Sequence, residues 1–390
     1  MREGWVYRTL GEVCESDLGK TLNSSKDTGE LRPYLCAINI LWDKIDITTL
    51  KQTRFEDSEL ERYTVRKGDL LICEGGDIGR AAIWDKDYSI QYQNALHRVR
   101  FTDSVAPRFC LYFFMHLKKS GILDRRYGKG ITIKHLVKSS LMSIPIPVAP
   151  IENQQAIVAE LDKINELIGL KKSQLSDLDS LAQSIFYEMF GDPVENEKGW
   201  EVKKLNEVSE SITDGDHMPP PKSERGIPFL TISDINKETR ELDFSNTFFV
   251  PQDYYDGLKE ERKARTNDLL YTVTGSYGIP VIVKTDKQFC FQRHIALIRP
   301  MQKMLTTTFL CYWALSPSIK GVADRVATGI AQKTVGLNSI RQFDIVLPPL
   351  PLQQSFAAQI TAIEQQKQRI TASIKDLETL LASRMQYWFD

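Results

Sequence analysis

Two stretches of the chain gather side chains suited to holding a polyanion. Between positions 98 and 138 stand ten basic residues, Arg98, Arg100, Arg108, Lys118, Lys119, Arg125, Arg126, Lys129, Lys134 and Lys138, against Asp103 and Asp124. Between positions 284 and 341 nine more, Arg293, Arg325 and Lys333 among them, face Asp286 and Asp324. Clustered cations of this kind neutralise phosphates, release counterions and make affinity depend on salt. A third segment, Thr213-Asp214-Gly215-Asp216-His217-Met218-Pro219-Pro220-Pro221-Lys222, is dense in donors and acceptors and stiffened by proline. Such a loop suits the reading of base edges, and equally suits a plain surface. The candidate contacts are Lys20, Arg98, Arg125, Arg126, Lys129, Lys134 and Lys138 in the first half, and Asp214, Asp216, His217, Lys222, Arg293, Arg325, Gln332 and Lys333 in the second.

Catalytic patterns are missing from the sequence. Gly75-Gly76-Asp77-Ile78-Gly79-Arg80 has glycines but neither the lysine nor the Ser/Thr of a phosphate loop. Met218-Pro219-Pro220-Pro221 and Leu347-Pro348-Pro349-Leu350 lack the amide or acid of a methyltransferase motif, and the five histidines show no metal-ligand spacing. No catalytic residue, metal or cofactor is expected in this chain.

These loops need elements to hold them, and the sequence writes those elements twice. Gly4-Trp5 with Leu10 and Glu12-Val13 returns as Gly199-Trp200 with Leu205 and Glu207-Val208, and Pro33 returns as Pro228. Further on, Asp69-Leu70-Leu71, Gly76, Gly79, Gln93, Arg100 and Gly130-Ile131 return as Asp268-Leu269-Leu270, Gly275, Gly278, Gln292, Arg299 and Gly329-Ile330. Most residues between these anchors differ, which fits one fold with two surfaces. Short β-like runs at 69–73, 78–84, 269–273 and 279–283 alternate with turns, the glycine pairs marking tight turns. Helices are expected at Pro107–Lys119 and Thr307–Leu315. Each half then meets a proline-rich break, at 144–150 and 347–351, where proline should stop any strand.

Heptads follow both breaks. The first seam holds Ile157, Leu161, Ile164, Ile168, Leu175, Leu178 and Ile185, and the second Phe356, Ile360, Ile363, Ile370, Ile374, Leu377 and Leu381, with Lys171 and Lys367 as matched polar interruptions. Four heptads without Gly or Pro on the seam predict a coiled coil. Two amphipathic helices lying on separate domains would not explain two narrow seams in register. Antiparallel pairing would carry the chain out along one helix and back along the other, giving a pseudo-twofold repeat. The first seam, from Ile157 to Met189, spans roughly 48 Å at about 1.5 Å per residue. That is the scale of a little over one turn of B-DNA, about 34–36 Å.

The motifs resemble those of the specificity (S) subunit of type I restriction-modification enzymes, along the whole chain. The resemblance rests on the Gly-Trp…Leu-x-Glu-Val openings, the Gly-Asp-Leu-Leu and Asn-Asp-Leu-Leu blocks, and the Pro-x-x-x-Gln-Gln entries to both heptad runs. Met189-Phe190-Gly191-Asp192-Pro193 and the Asp214-Gly215-Asp216-His217 loop add to it, with Gly19-Lys20-Thr21-Leu22 in the loop's place in the first half. It implies a non-catalytic subunit that selects DNA sequence, an α+β chain of two similar target-recognition domains joined by two long antiparallel coiled-coil helices. Each domain would read half of a split, asymmetric site on double-stranded DNA, and the helices would set the gap. The expected partners are two methyltransferase (M) subunits, which methylate adenine, and restriction/translocase (R) subunits. S-adenosylmethionine, ATP and magnesium would belong to those partners.

The domain reading is 1–150 and 199–349 for the recognition domains, 151–190 and 350–390 for the helices, and 191–198 for a linker. Composition agrees with a soluble cytoplasmic protein of two or three domains: 390 residues, 42% hydrophobic, 26% charged, and scattered cysteines expected to be reduced. The longest apolar stretch, near 109–117, is too short to span a bilayer. The net charge of −1 hides the basic stretches beneath acid elsewhere. The alternative reading is a coiled-coil scaffold that binds proteins and has no DNA specificity.

Overall fold

A computed structural model describes residues 4–23, 27–132, 134–215, 217, 220–330 and 332–390. The chain forms two compact units, one from the residues up to Lys172 together with Ala372–Asp390, the other Ser173–Thr371. Both are α+β and both follow one plan.

In the first unit an antiparallel sheet runs in the order Cys14–Leu18, Leu96–Phe101, Leu70–Cys73, Ala81–Ile83. One face, through Leu70, Ile72 and Val99, packs on the helix Pro107–Lys119. The other, through Leu71, Cys73 and Leu96, packs on Leu35, Ile90 and Tyr92 of a second sheet ordered Lys51–Phe55, Glu30–Leu35, Ile90–Tyr92, Thr64–Val65. With both faces covered, the central strands are nearly continuous in apolar residues. The second unit repeats this with Ser209–Asp214, Ile295–Pro300, Leu269–Thr272 and Pro280–Ile282 beside a sheet of Phe248–Val250, Ile227–Leu230 and Cys290–Phe291. The helix Thr307–Leu315 takes the place of Pro107–Lys119. All six cysteines are buried.

The repeat's anchors turn out to be partners. Arg100 donates to both carboxylate oxygens of Asp69, at 2.7 and 2.6 Å, and Arg299 does the same to Asp268, at 2.9 and 2.8 Å. The same carboxylates accept the backbone N–H of Arg66 and Arg265, closing the turn before each central strand.

The first proline-rich break differs from expectation, because Pro145 and Pro147 stand within a strand, whereas the second stops its strand at Leu347, before Pro348, as expected. Pro145–Val148 pairs antiparallel with Val6–Thr9, and Asp344–Leu347 with Glu201–Lys204. Each is a two-stranded ribbon, whose outer edge tolerates a residue without an N–H.

Two helices of 40 residues, Ile151–Phe190 and Leu350–Phe389, carry the heptads. They run antiparallel within each unit: Glu160 meets Arg384 in the first, and Asp179 meets Lys367 while Phe186 meets Phe356 in the second. Each begins with a fully buried glutamine. Gln154 accepts the N–H of Ala106 and donates to the carbonyls of Ser104 and Ala149. Gln353 accepts the N–H of Thr306 and donates to those of Met304 and Pro348. These side chains lock each helix start to its globular unit, since a buried amide losing such partners costs more than the bonds it made.

Ile157, Leu161, Ile164, Ile168, Leu178, Phe356, Ile360, Ile363, Ile370 and Ile374 are buried, with Leu175, Leu377 and Leu381 partly so. Lys367, the polar interruption, is satisfied by Asp179, which also takes Arg240. Burial alone would raise the Asp179 carboxyl, but Lys367 and Arg240 hold it below the usual range. Ile185, like Leu175, is only partly buried, and the most deeply buried residues near it are its neighbours. The last turns bury Phe186 and Phe190 on the first helix, and Met385 and Phe389 on the second. A straight helix drifts about 20° per heptad against a 3.5 repeat. At its end each helix packs on a globular core while keeping its partner, Phe190 lying 4.8 Å from Phe309 and 5.3 Å from Phe356, and Phe389 5.2 Å from Phe109, between ring centroids.

Candidate nucleic-acid interface

At one end of each central sheet several loops converge, tied by backbone hydrogen bonds. In the first unit the N–H of Glu74 donates to Ala95 and the N–H of Leu136 to Glu74, so the turn at 74–80 lies between the loop at 93–95 and the one at 129–135. In the second, Val273 donates to His294 and Val335 to Val273, and Gly275 donates to Lys333. The turns require their glycines. Gly79 has φ +78, and a Cβ there would lie 1.9 Å from the Leu123 side chain.

The strand-exit loops join the same clusters. Gly19 lies so close to the backbone of Gln93 that a Cβ would sit 2.3 Å from it, and Gly215 lies likewise 1.9 Å from Phe291. Gly19 and Gly215 therefore hold equivalent places, although the residues that follow them in sequence differ. Asp216 itself lies outside the described residues. Asp214 is hydrogen-bonded to His217 at 2.8 Å and stands 3.8 Å from Arg262, while Lys222 covers the Phe248 ring.

Two candidates point inward, away from any DNA-facing surface. Lys20 is buried between Glu59 at 2.6 Å and Asp27 at 3.5 Å, and also donates to the Arg54 carbonyl. Burial pulls its ammonium down, but the two carboxylates hold it above the usual lysine range. Arg98 lies on the sheet face covered by the second sheet, donating to Asp17 and to the carbonyls of Arg62 and Thr64. Arg100, Arg108 and Lys118 are likewise committed to Asp69, to Asp43 and Asp162, and to Asp77 and Asp124.

Others remain at the loop end. Arg125, Arg126, Lys129 and Lys138 are exposed in the first unit, as are Arg293, Arg325, Gln332 and Lys333 in the second. Lys134 is half-buried and donates to the Asp124 carbonyl. Among the described residues Arg125, Arg126, Lys129, Lys134, Arg293, Arg325 and Lys333 make no salt bridge, while Lys138 stands 3.7 Å from Asp17. Sequence reasoning missed Asn94, which donates to Thr21, the exposed Ser276, held by Lys237, and the half-buried Tyr277, held by Asp324. The repeated glycine pairs marked these turns but not the side chains they display. The arrangement offers cations for phosphates with amides and hydroxyls for base edges. No group of acids, histidines and cysteines able to hold a metal occurs among the described residues.

His97 ties strand to loop: it is buried, with Nε2 2.8 Å from the Leu136 carbonyl and Nδ1 without a partner. Burial holds its pKa below the usual histidine value, only partly offset by that carbonyl and by Glu74. The unfolded chain takes up a proton below about pH 6.5 that the folded chain resists. Stability from this group is therefore present above that value and lost as pH falls through it. The second unit has Ala296 at this place. His97→Ala should shrink the loss of melting temperature between about pH 7.5 and about pH 5.5, and an unchanged loss would refute the assignment.

Comparison with known proteins now decides the family. The model described as type I restriction modification DNA specificity domain matches residues 2–179 and again 197–379. The chain belongs to this family. Among similar specificity subunits is the putative type I restriction enzyme MjaX specificity subunit of Methanocaldococcus jannaschii, 23% identical over 97% of this chain and 93% of its own. The EcoBI specificity subunit of Escherichia coli is 23% identical over 83% of this chain and 74% of its own. A solved chain from work on assembly and conformational transition of the type I R-M system shares the fold at TM-score 0.64 and 20% identity, covering 99% of this specificity subunit and 97% of itself. The type I S subunit of M. genitalium gives 0.53 at 15% identity, with coverages of 99% and 96%. No helix among the described residues is long and apolar enough to cross a membrane.

Proposed function

We propose that this specificity subunit is the non-catalytic reader of its complex, each globular unit contacting one half of a bipartite, asymmetric site on double-stranded DNA through its loop cluster. One observation carries the reading. The same loops converge at the same sheet end in both units, yet display different side chains, Asn94 and Thr21 in one and Arg293, His217 and Lys222 in the other. One scaffold with two surfaces suits two unlike half-sites. The paired helices set the gap between half-sites and, with parts of the units, dock two methyltransferase subunits, which restriction/translocase subunits join. S-adenosylmethionine, ATP and magnesium act in those partners, and the complex works in the cytoplasm.

The decisive experiment assembles the chain with its methyltransferase subunit, maps the adenines modified, and then replaces residues 199–349 by a related domain. The new map should keep one half-site and change the other; a change in both, or in neither, defeats the reading. Binding should weaken steeply with salt, since about seven unpaired cations are available to phosphates. A protein-binding scaffold would bind no duplex even with its partner present. Adding seven residues to both helices, about 10 Å, should lengthen the tolerated gap by about three base pairs. An unchanged gap removes the helices as a ruler.

A further inference from the structure

The hairpins at 129–135 and 328–334 each carry an isoleucine fully open to solvent among the described residues. Ile131 is 102% exposed and Ile330 107%, the highest among the large exposed apolar side chains of the described residues. Neither is a frayed tip. Lys129 and His135 exchange both backbone hydrogen bonds, at 2.9 and 2.8 Å, and Thr328 and Thr334 do the same at 2.9 and 2.8 Å. Gly130 and Gly329, with φ +114 and +108, set the bend that projects the next residue. A Cβ on Gly329 would meet the Gln332 carbonyl at 2.3 Å.

Repetition makes this more than a surface curiosity. The hairpins have drifted from Lys129 to Thr328 and from His135 to Thr334, yet both keep Gly-Ile, with Lys134 and Lys333 at the same place. Whatever the isoleucines touch is therefore common to both half-sites, and base identity is not. Their surroundings choose between a protein and a nucleic acid. A protein interface needs a contiguous apolar area, whereas each isoleucine stands alone among the described residues of its hairpin. Along the chain they are flanked by exposed cations, Arg126 and Lys129 in one unit and Arg325 and Lys333 in the other. An exposed apolar side chain flanked along the chain by exposed cations fits a base step, where such wedges part the stack and bend the duplex.

The geometry points to Ile131 and Ile330 as apolar wedges that enter the DNA base stack, one per half-site, independently of its sequence. This rests on the reading that each unit contacts one half-site. It adds a residue-level act that the reading does not require.

The test uses the chain assembled with its methyltransferase subunit and a duplex carrying the sequence that the complex methylates. 2-Aminopurine is placed at one purine at a time, excluding the methylated adenines. Binding of the wild-type complex should brighten one position in each half. Ile131→Ala should abolish the signal in one half only, Ile330→Ala in the other, each weakening binding about tenfold through lost apolar burial. Ile131→Leu should keep the signal. Both alanine variants should melt like the wild type, because the side chains support nothing. Unchanged brightening and affinity in the alanine variants overturn the wedge while leaving half-site reading intact. Loss of the methyltransferase subunit before DNA is added overturns it in favour of a protein contact. A wild-type complex that binds no duplex defeats both.

Discussion

Asp268→Ala should cost about 3–5 kcal/mol of stability, read as a lowered denaturation midpoint of the second unit. Asp268 and Arg299 are both almost wholly buried, and the carboxylate serves the guanidinium and the Arg265 N–H together. Removing it leaves a charge in a low-dielectric site with the Lys263 carbonyl as its remaining hydrogen-bond acceptor among the described residues. The equivalent Asp69→Ala should cost less, because Arg100 is 33% exposed where Arg299 is 10% exposed and water can reach it. Replacing both partners, as Asp268→Leu with Arg299→Met, should recover most of the loss, since a buried pair is often no more stabilising than a packed apolar one. Equal losses for Asp268→Ala and Asp69→Ala would show that burial does not set the cost.

Phe190→Ala should be nearly as severe, about 3–5 kcal/mol. The ring is fully buried against Phe186, Phe309 and Phe356, so truncation leaves a cavity walled by stiff aromatics that cannot close it. Ile185→Ala, on the strict heptad seam but half-buried, should cost well under half as much. That order reverses what a pure heptad reading expects. A larger loss at Ile185 would mean that the helix keeps its coiled-coil register to the end.

Both variants mark where sequence and structure part company. The repeat was legible because its anchors cannot vary freely: glycines hold positive φ, and Asp69 and Asp268 close turns. That Arg100 and Arg299 are their partners was not, since nothing local links positions 31 apart. The heptads showed which faces pair, because a 3.5 repeat over four heptads has no other cheap explanation. They could not show that the last turn of each helix also packs on a globular core. Counting basic residues located the loop ends but miscounted the free cations. Arg98 and Lys20 look like any surface cation until the second sheet and the helix Asp57–Tyr63 close over them. The buried glutamines at the helix starts were visible as a motif, and only the fold shows them binding backbone on three sides.

The division of the chain between the units also sets an order of events at the ribosome. The second unit is one continuous stretch, Ser173–Thr371, whereas the first borrows Ala372–Asp390. Phe389 packs on Phe109 and Phe113, and His116 binds Asp390 across 274 residues of chain. The first unit is thus made first and finished last, its aromatic face bare while the second unit is synthesised and folds. Nascent chains stalled before residue 372 would present that face to chaperones, and release of the final helix would be the step that withdraws it.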